Sequence, residues 1–447
     1  MTIRSKKMKI IEEVFKVILI LLLFVIFSNG YAQKPFFHSE IIIPFQDEHV
    51  HGSSIEQLPN GDLLVAWFQG SGERWADDVK IFGSRKKYGS DQWSAPFVLA
   101  DVEGFPDINP VLFVDGKSRL WLMWYTVIAN QWETSLCKYR IGEDYMNMLG
   151  APNWNWQENL HVKPGDKAER GIQPDDSFVQ SVKRQLEEYV EQAEIDANNE
   201  EVRQWRKRTL AKARGEDMMR SGRIYKEDGA YESASLGYPY FRRMGWQTRN
   251  KPFITDEGRL IVPLYSDGFS FSLMAYTDNW GKTWEFSTPL VGGGNIQPTI
   301  AETGSGELVA YMRDNGPPPK RLHVSRSTDD GETWSLVQDS QLPNPGSAAD
   351  IMTLENGNWV LVYNDTESGR HSLAVSLSED EGSTWPWTRR LEFDKSEEPV
   401  TGGYPAIIQG KKGNLHVTYS YQLSKKNNEE QKTIKYVTFN EEWIKKE

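Results

Sequence analysis

A glycine turn followed by an apolar run recurs six times along the chain, as GDLLVAWF, GKSRLWLMWY, GRLIVPLY, GELVAYMR, GNWVLVYN and GNLHVTYSY. Runs this short, rich in Val, Leu, Trp and Tyr and bounded by Gly, predict buried strands rather than helices, which need a longer stretch of 3.6-residue period. Ahead of each run stands a second short strand that opens on a polar residue followed by Pro or Gly: His51-Gly52, Asn109-Pro110, Lys251-Pro252, Gln297-Pro298, Asn344-Pro345 and Tyr404-Pro405. The glycine turns the chain back antiparallel, so the opening polar residue and the exit of the following strand lie at the same edge of each hairpin.

A second repeat runs in phase with the first. TDNWGKTW (277–284), STDDGETW (327–334) and SEDEGSTW (378–385) share one template, with terminal Trp residues 50 and 51 positions apart. A period near 50 built of short strands predicts an all-β fold, a six-bladed β-propeller with one four-stranded blade per repeat, leaving room for a seventh. Within it His51, Asn109, Lys251, Gln297, Asn344 and Tyr404 ring one mouth of the channel, joined by the strand exits Arg313, Asp314, Asn364 and Asp365. The Asp-Gly-Thr-Trp turns fall on the opposite face, where acidic and Thr side chains brace the turn and the Trp packs, a structural role. Residues 160–245 break the period. FVQSVKRQLEEYVEQA sets Val179, Val182, Leu186 and Val190 at helical spacing, predicting a helical insertion between blades two and three that packs on the propeller's side or serves as a lid.

Composition narrows the function. Residues 1–32 carry Lys6, Lys7 and Lys9, then the apolar run Val17 to Phe27, then Gly30-Tyr31-Ala32. This reads as a secretory signal peptide, too short to span a membrane, so the mature chain 33–447 is expected to be secreted or periplasmic and free of the membrane. The single Cys137 excludes an internal disulfide. A net charge of −12 argues against nucleic acid, and an anionic ligand would need a local Arg cluster. The 17 Trp and 18 Tyr suit a sugar-handling protein, since pyranose faces stack on rings, although aromatic residues also favour strands. In EHVHGSS (48–54) the two histidines share a strand face, but without a third ligand nearby they do not make a metal site, and no cofactor is expected. YPYFRRMGWQTRNKP (238–252) leads into the third blade and offers Arg249 as a carboxylate clamp and Tyr238 or Tyr240 as a proton donor.

The repeated turns, the six-blade phasing and the strand pairs resemble the sialidase (BNR repeat) superfamily over nearly all of the mature chain. That resemblance implies a carboxylate held by three Arg, a Tyr nucleophile assisted by a Glu, and an Asp acid. Carried over by position, Arg313 in AYMRDNG and Arg370 in SGRHSLAVSLSEDEG match the second and third Arg, Tyr404 in GGYPAII the nucleophile, and Asp78 in RWADDVKIFGSR the acid/base. Two positions depart, with His51 where the first Arg would stand and Gln297 where the Glu would stand. Imidazole does not replace a bidentate Arg, and an amide cannot accept the Tyr proton. His51 is instead a candidate base, similar to the arrangement in ulvan-type and rhamnose-glucuronate propeller lyases. The main expectation is therefore a carbon–oxygen lyase or dehydratase acting on the terminal uronic acid of an acidic oligosaccharide, such as an ulvan fragment. In it His51, Tyr404, Asp78 and Tyr238 do the chemistry, and Arg249, Gln297, Arg313, Arg370 and Asn109 bind substrate. The alternatives are an exo-sialidase-type glycosidase and a non-catalytic propeller that binds acidic glycans.

Overall fold

Six antiparallel sheets stand around a channel in the computed structural model, which describes residues 34–146, 148–162, 166, 174–214, 223–225, 231–233, 244–397, 399–424 and 430–446. The expected signal peptide and Tyr238 lie outside the described residues. Blade one comprises His49–Gln57, Leu63–Gly70, Lys80–Lys86 and Phe97–Ala100, from the channel outward, and blade two Asp107–Val114, Leu120–Val127, Ser135–Gly142 and Trp156–Asn159. Blades four and five repeat the pattern from Asn295–Glu302 to Gln338–Pro343 and from Asp350–Thr353 to Trp387–Phe393. In blade three the inner strand is split into Gln247–Thr248 and Phe253–Ile254. Blade six takes Thr401–Gln409, Leu415–Ser424 and Glu430–Phe439, and its outermost strand is Phe37–Ile41 from the start of the described chain, which pairs with Lys435–Phe439 and closes the ring at six blades.

The apolar runs are the second strands, and their continuous hydrophobicity follows from the ring. Successive side chains point to opposite faces, and each face meets a neighbouring blade. In Leu63–Phe68, Leu64, Ala66 and Phe68 pack toward blade two, whereas Leu63, Val65 and Trp67 pack toward blade six. Six such apolar layers result, one between each pair of neighbours. The helices Ser177–Gln192 and Glu200–Ala213 stand in the interval after blade two, and Val182 and Leu186 join the layer between blades two and three.

The three repeated turns join third to fourth strands on the face away from the mouth. Asp329 Oδ1 accepts from Ser327 Oγ (2.8 Å) and Thr333 N (2.9 Å), and Asp380 repeats the pattern with Ser378 and Thr384.

At the mouth, the inner strands of blades one, two, four and six share one device. Their register slips between His51 and Ser54, Ile108 and Val111, Ile296 and Thr299, and Gly403 and Ala406. The first bulged residue is left-handed in every case: Gly52 (φ 63°), Asn109 (49°), Gln297 (55°) and Tyr404 (55°). Such a bulge re-aims a side chain, and a non-glycine residue in this conformation costs about 1 kcal/mol or more, borne by the surrounding structure. Gly52 is the residue in phase with the other three, so His51 precedes that position by one. Blade one needs glycine there, because a Cβ would sit 2.6 Å from Asn109 Oδ1. Two other members of the expected ring fall outside the device. Lys251 pairs with Glu56 (2.5 Å), and Asn344 is a buried turn residue whose Oδ1 accepts from Gly346 N and Ser347 N.

Candidate functional site

A cavity of about 340 Å³ opens at this mouth, and the bulges explain what lines it. Asn109, Gln297 and Tyr404 are turned inward by their left-handed backbones, and His51 reaches the same space from the residue before Gly52. Arg313 enters from the exit of blade four's second strand and Arg370 from the connection between the second and third strands of blade five.

Tyr404 is the centre of the arrangement. Arg313 Nη1 donates to its phenol oxygen at 2.8 Å and to Gln297 Oε1 at 3.3 Å. That second bond orients the amide, so Gln297 Nε2 donates to the phenol oxygens of Tyr404 and Tyr265, both at 3.4 Å. The Arg370 guanidinium lies 5.0 Å from the Tyr404 ring centroid, and the His51 ring 4.2 Å away, centroid to centroid. Burial alone raises the Tyr404 phenol, but Arg313, then Arg370 and the Gln297 hydrogen bond, overrule it and leave the group below its ordinary value. Tyr125 and Tyr265, bridged by Asn109 Nδ2 at 3.0 and 3.4 Å, are pushed up by burial. One phenol of the three is therefore electrostatically prepared to ionise.

His51 moves the other way for an imidazole. Burial, with His49, Arg370, Arg249 and Lys432 adding positive field, holds it well below its usual value, so it is neutral in the physiological range. Glu73 and Asp267 also line the cavity, and burial raises both carboxyls against the pull of nearby arginines. Raised carboxyls of this kind suit proton donation.

Two candidates stand elsewhere. Asp78 is exposed and does not line the cavity; its carboxylate accepts from Ser71 N (3.1 Å) and Ser71 Oγ (2.8 Å) and ties the loop together. An irregular loop has no period from which side-chain direction can be read, and the cavity carboxyl of this loop is Glu73. Arg249 is 2% exposed and lies beneath Tyr404, 5.1 Å from the ring centroid, donating to Ser53 O (3.4 Å) and Pro405 O (3.0 Å). It braces blades one and six from blade three and does not line the cavity. Sequence reasoning missed His49, Glu73, Tyr125, Tyr265, Asp267 and Lys432, all of which line the cavity. The strand-exit rule that found Arg313 would have found Tyr265 and Asp267 at the end of the run GRLIVPLYSD; Lys432 has no such signal. Among the described residues, no three His, Cys, Asp or Glu side chains converge as metal ligands.

The BNR repeat-like domain family matches residues 61–186 and 236–417, more than half of the chain. The chain belongs to that family. Among relatives of this BNR repeat-like domain protein, an anhydrosialidase of Macrobdella decora is 35% identical over 123 residues, covering 27% of the chain and 15% of that protein. A sialidase of Bacteroides fragilis (strain YCH46) is 23% identical over 158 residues, covering 33% and 28%. The chain thus matches less than a third of the length of either curated relative. Among solved structures, the intramolecular trans-sialidase from Ruminococcus gnavus in complex with oseltamivir carboxylate superposes with a TM-score of 0.56 at 15% identity, over 89% of this chain and 96% of that one. A Dyadobacter fermentans protein of unknown function gives 0.59 at 14% identity, over 90% and 99%. These likenesses show the propeller fold. The named relatives are sialidases and trans-sialidases, of glycosidase type, and this overturns the expectation of a carbon–oxygen lyase or dehydratase. That expectation rested on the two departures, His51 as a base in place of the first Arg and Gln297 leaving Tyr404 without its Glu; in the structure Arg313 and Arg370 stand beside Tyr404 instead.

Proposed function

We propose that this protein is an exported exo-glycosidase of sialidase type that removes a terminal acidic sugar from an oligosaccharide. The observation that carries the reading is the Tyr404 phenol held below its ordinary value by Arg313 and Arg370. Gln297 then has a role a carboxylate could not fill: its amide donates to the phenol oxygen, and a phenolate accepts that bond better than a phenol does. Charge stabilisation of the nucleophile replaces the missing base. Tyr404, its proton passed to solvent, bonds through oxygen to the anomeric carbon as the bond from that carbon to the leaving oxygen breaks. Glu73, whose carboxyl burial raises, gives its proton to the leaving oxygen. Water then attacks the anomeric carbon, Glu73 takes a proton from it, and Tyr404 departs as phenolate.

Incubation with a sialoside is expected to release a free 2-keto acid, with Tyr404→Phe abolishing the release and Glu73→Gln slowing it most for substrates with poor leaving groups. Release undiminished in Tyr404→Phe would end the reading. A second reading, an acidic-glycan-binding propeller without turnover, is favoured by Gln297 standing where the family resemblance implies a Glu. It predicts saturable binding with no change in ligand mass.

A further inference from the structure

We propose that Lys432, aimed by His49, supplies the third cation of an anion clamp with Arg313 and Arg370, at the side of the cavity that His51 lines. The proposal rests on the acidic-sugar reading above and names the residue that completes selection for the acid. Lys432 belongs to the third strand of blade six, Glu430–Phe439, and lines the same cavity as the two guanidiniums. Its Nζ lies 3.1 Å from His49 Nδ1 and 3.1 Å from Glu430 Oε2, a carboxylate about half exposed to solvent. An ammonium only donates, so Nδ1 is the bare nitrogen and the ring proton of His49 sits on Nε2, which faces Glu73 Oε1 at 3.7 Å. The His49 ring is held in place by Phe68, stacked at 5.6 Å and 28°, and by the edge of His51.

The two histidines thus divide their work. They share a strand face, His51 packs against Tyr404, and His49 holds the end of a long flexible lysine that half-exposed Glu430 alone would leave free to swing into solvent. Burial, and then Lys432 itself, bring His49 down to about 4, so it stays a neutral acceptor and does not repel the ammonium. Arg313 and Arg370 are already engaged with Tyr404, so an acidic ligand entering a protein of net charge −12 gains from a further cation lining the cavity, and Lys432 supplies it. Arg370, Lys432, His51 and Gln422 also wall a side recess of about 30 Å³, a size suited to one small polar group such as a carboxylate.

The test is calorimetric binding of N-acetylneuraminic acid and of its uncharged methyl ester. The wild type is expected to prefer the acid, and Lys432→Gln to lose about tenfold or more on the acid and little on the ester. Lys432→Arg should keep the preference. His49→Ala should lose part of it, and His49→Gln, which retains an acceptor, should regain some. Thermal melts of each variant establish that the fold is kept. A wild type that prefers the acid while Lys432→Gln prefers it equally overturns the clamp alone. A wild type that takes acid and ester alike overturns the acidic-sugar reading together with the clamp.

Discussion

Tyr404 shows how a single side chain acquires chemistry from its neighbours. Its left-handed backbone, the two N–H donors on its oxygen and the two guanidiniums near its ring act on one phenol while Tyr265, one amide away, is left to burial. Charges that hold a phenolate can also hold a substrate carboxylate, and the two uses separate experimentally. Arg313→Ala and Arg370→Ala should each reduce turnover of an acidic substrate by the equivalent of about 2 to 5 kcal/mol, and that of a neutral analogue lacking the carboxylate by much less. Equal losses on both substrates in steady-state assays would mean that these arginines serve Tyr404 alone.

Among elements, the bulged inner strand and the braced outer turn have opposite roles. The bulges turn Asn109, Gln297 and Tyr404 into the channel, and the acidic turns hold third and fourth strands together on the far face. Asp329→Ala removes acceptors for Ser327 Oγ and Thr333 N and should cost about 1 to 2 kcal/mol in denaturant unfolding, with activity unchanged. Arg249 joins elements across the channel, and its guanidinium offsets the field of buried Asp350. Arg249→Met should lower stability by about 2 to 3 kcal/mol, because it removes a cation facing a buried carboxylate that keeps only its Ile407 N and Thr299 Oγ1 donors and the weaker pull of Lys251, and it frees the inner strands of blades one and six. A melting temperature within a degree or so of the wild type would contradict this bracing role.

For the whole molecule, six interblade layers and one closing strand hold the ring together, and buried histidines contribute to its pH dependence. His416 is brought down to about 4 by burial and then by Lys86. Unfolded, it takes up a proton near 6.5, so its native contribution is complete above that pH and is lost as pH falls from about 6.5 toward 4. His323 moves the other way. Burial opposes its charge, but Asp339 Oδ1 at 3.0 Å and Asp314 Oδ1 at 3.5 Å raise it above its usual value. Its contribution is complete below about 6.5 and is lost as pH rises through the raised value. In thermal melts the deficit of His416→Gln should shrink between pH 7 and pH 4.5, and that of His323→Gln should shrink between pH 6 and pH 8.5, on either side of the unfolded histidine value. Slopes of the same sign would refute the assignment.

The repeat period, the propeller of at least six blades and the strand ends that share the mouth were legible in the chain, because blades repeat one local plan and a turn glycine fixes which strand ends share an edge, while the closing strand Phe37–Ile41 decided that there are six. His51, Asn109, Gln297, Arg313 and Tyr404, which line the cavity, were placed at the mouth by that phasing, and Arg370 came only from the family resemblance. Side-chain direction in irregular segments was not legible. Asp78 and Glu73 lie in one loop, and only its closure by Ser71 turns the first away from the cavity the second lines. Nor could any period show that Arg249 runs under Tyr404, or that Lys432 meets His49 across 383 positions of sequence, since those contacts exist only once the ring is closed. Repetition determined the scaffold because it is local, whereas the charges gathered on one phenol come from blades far apart in sequence, and only tertiary structure decided them.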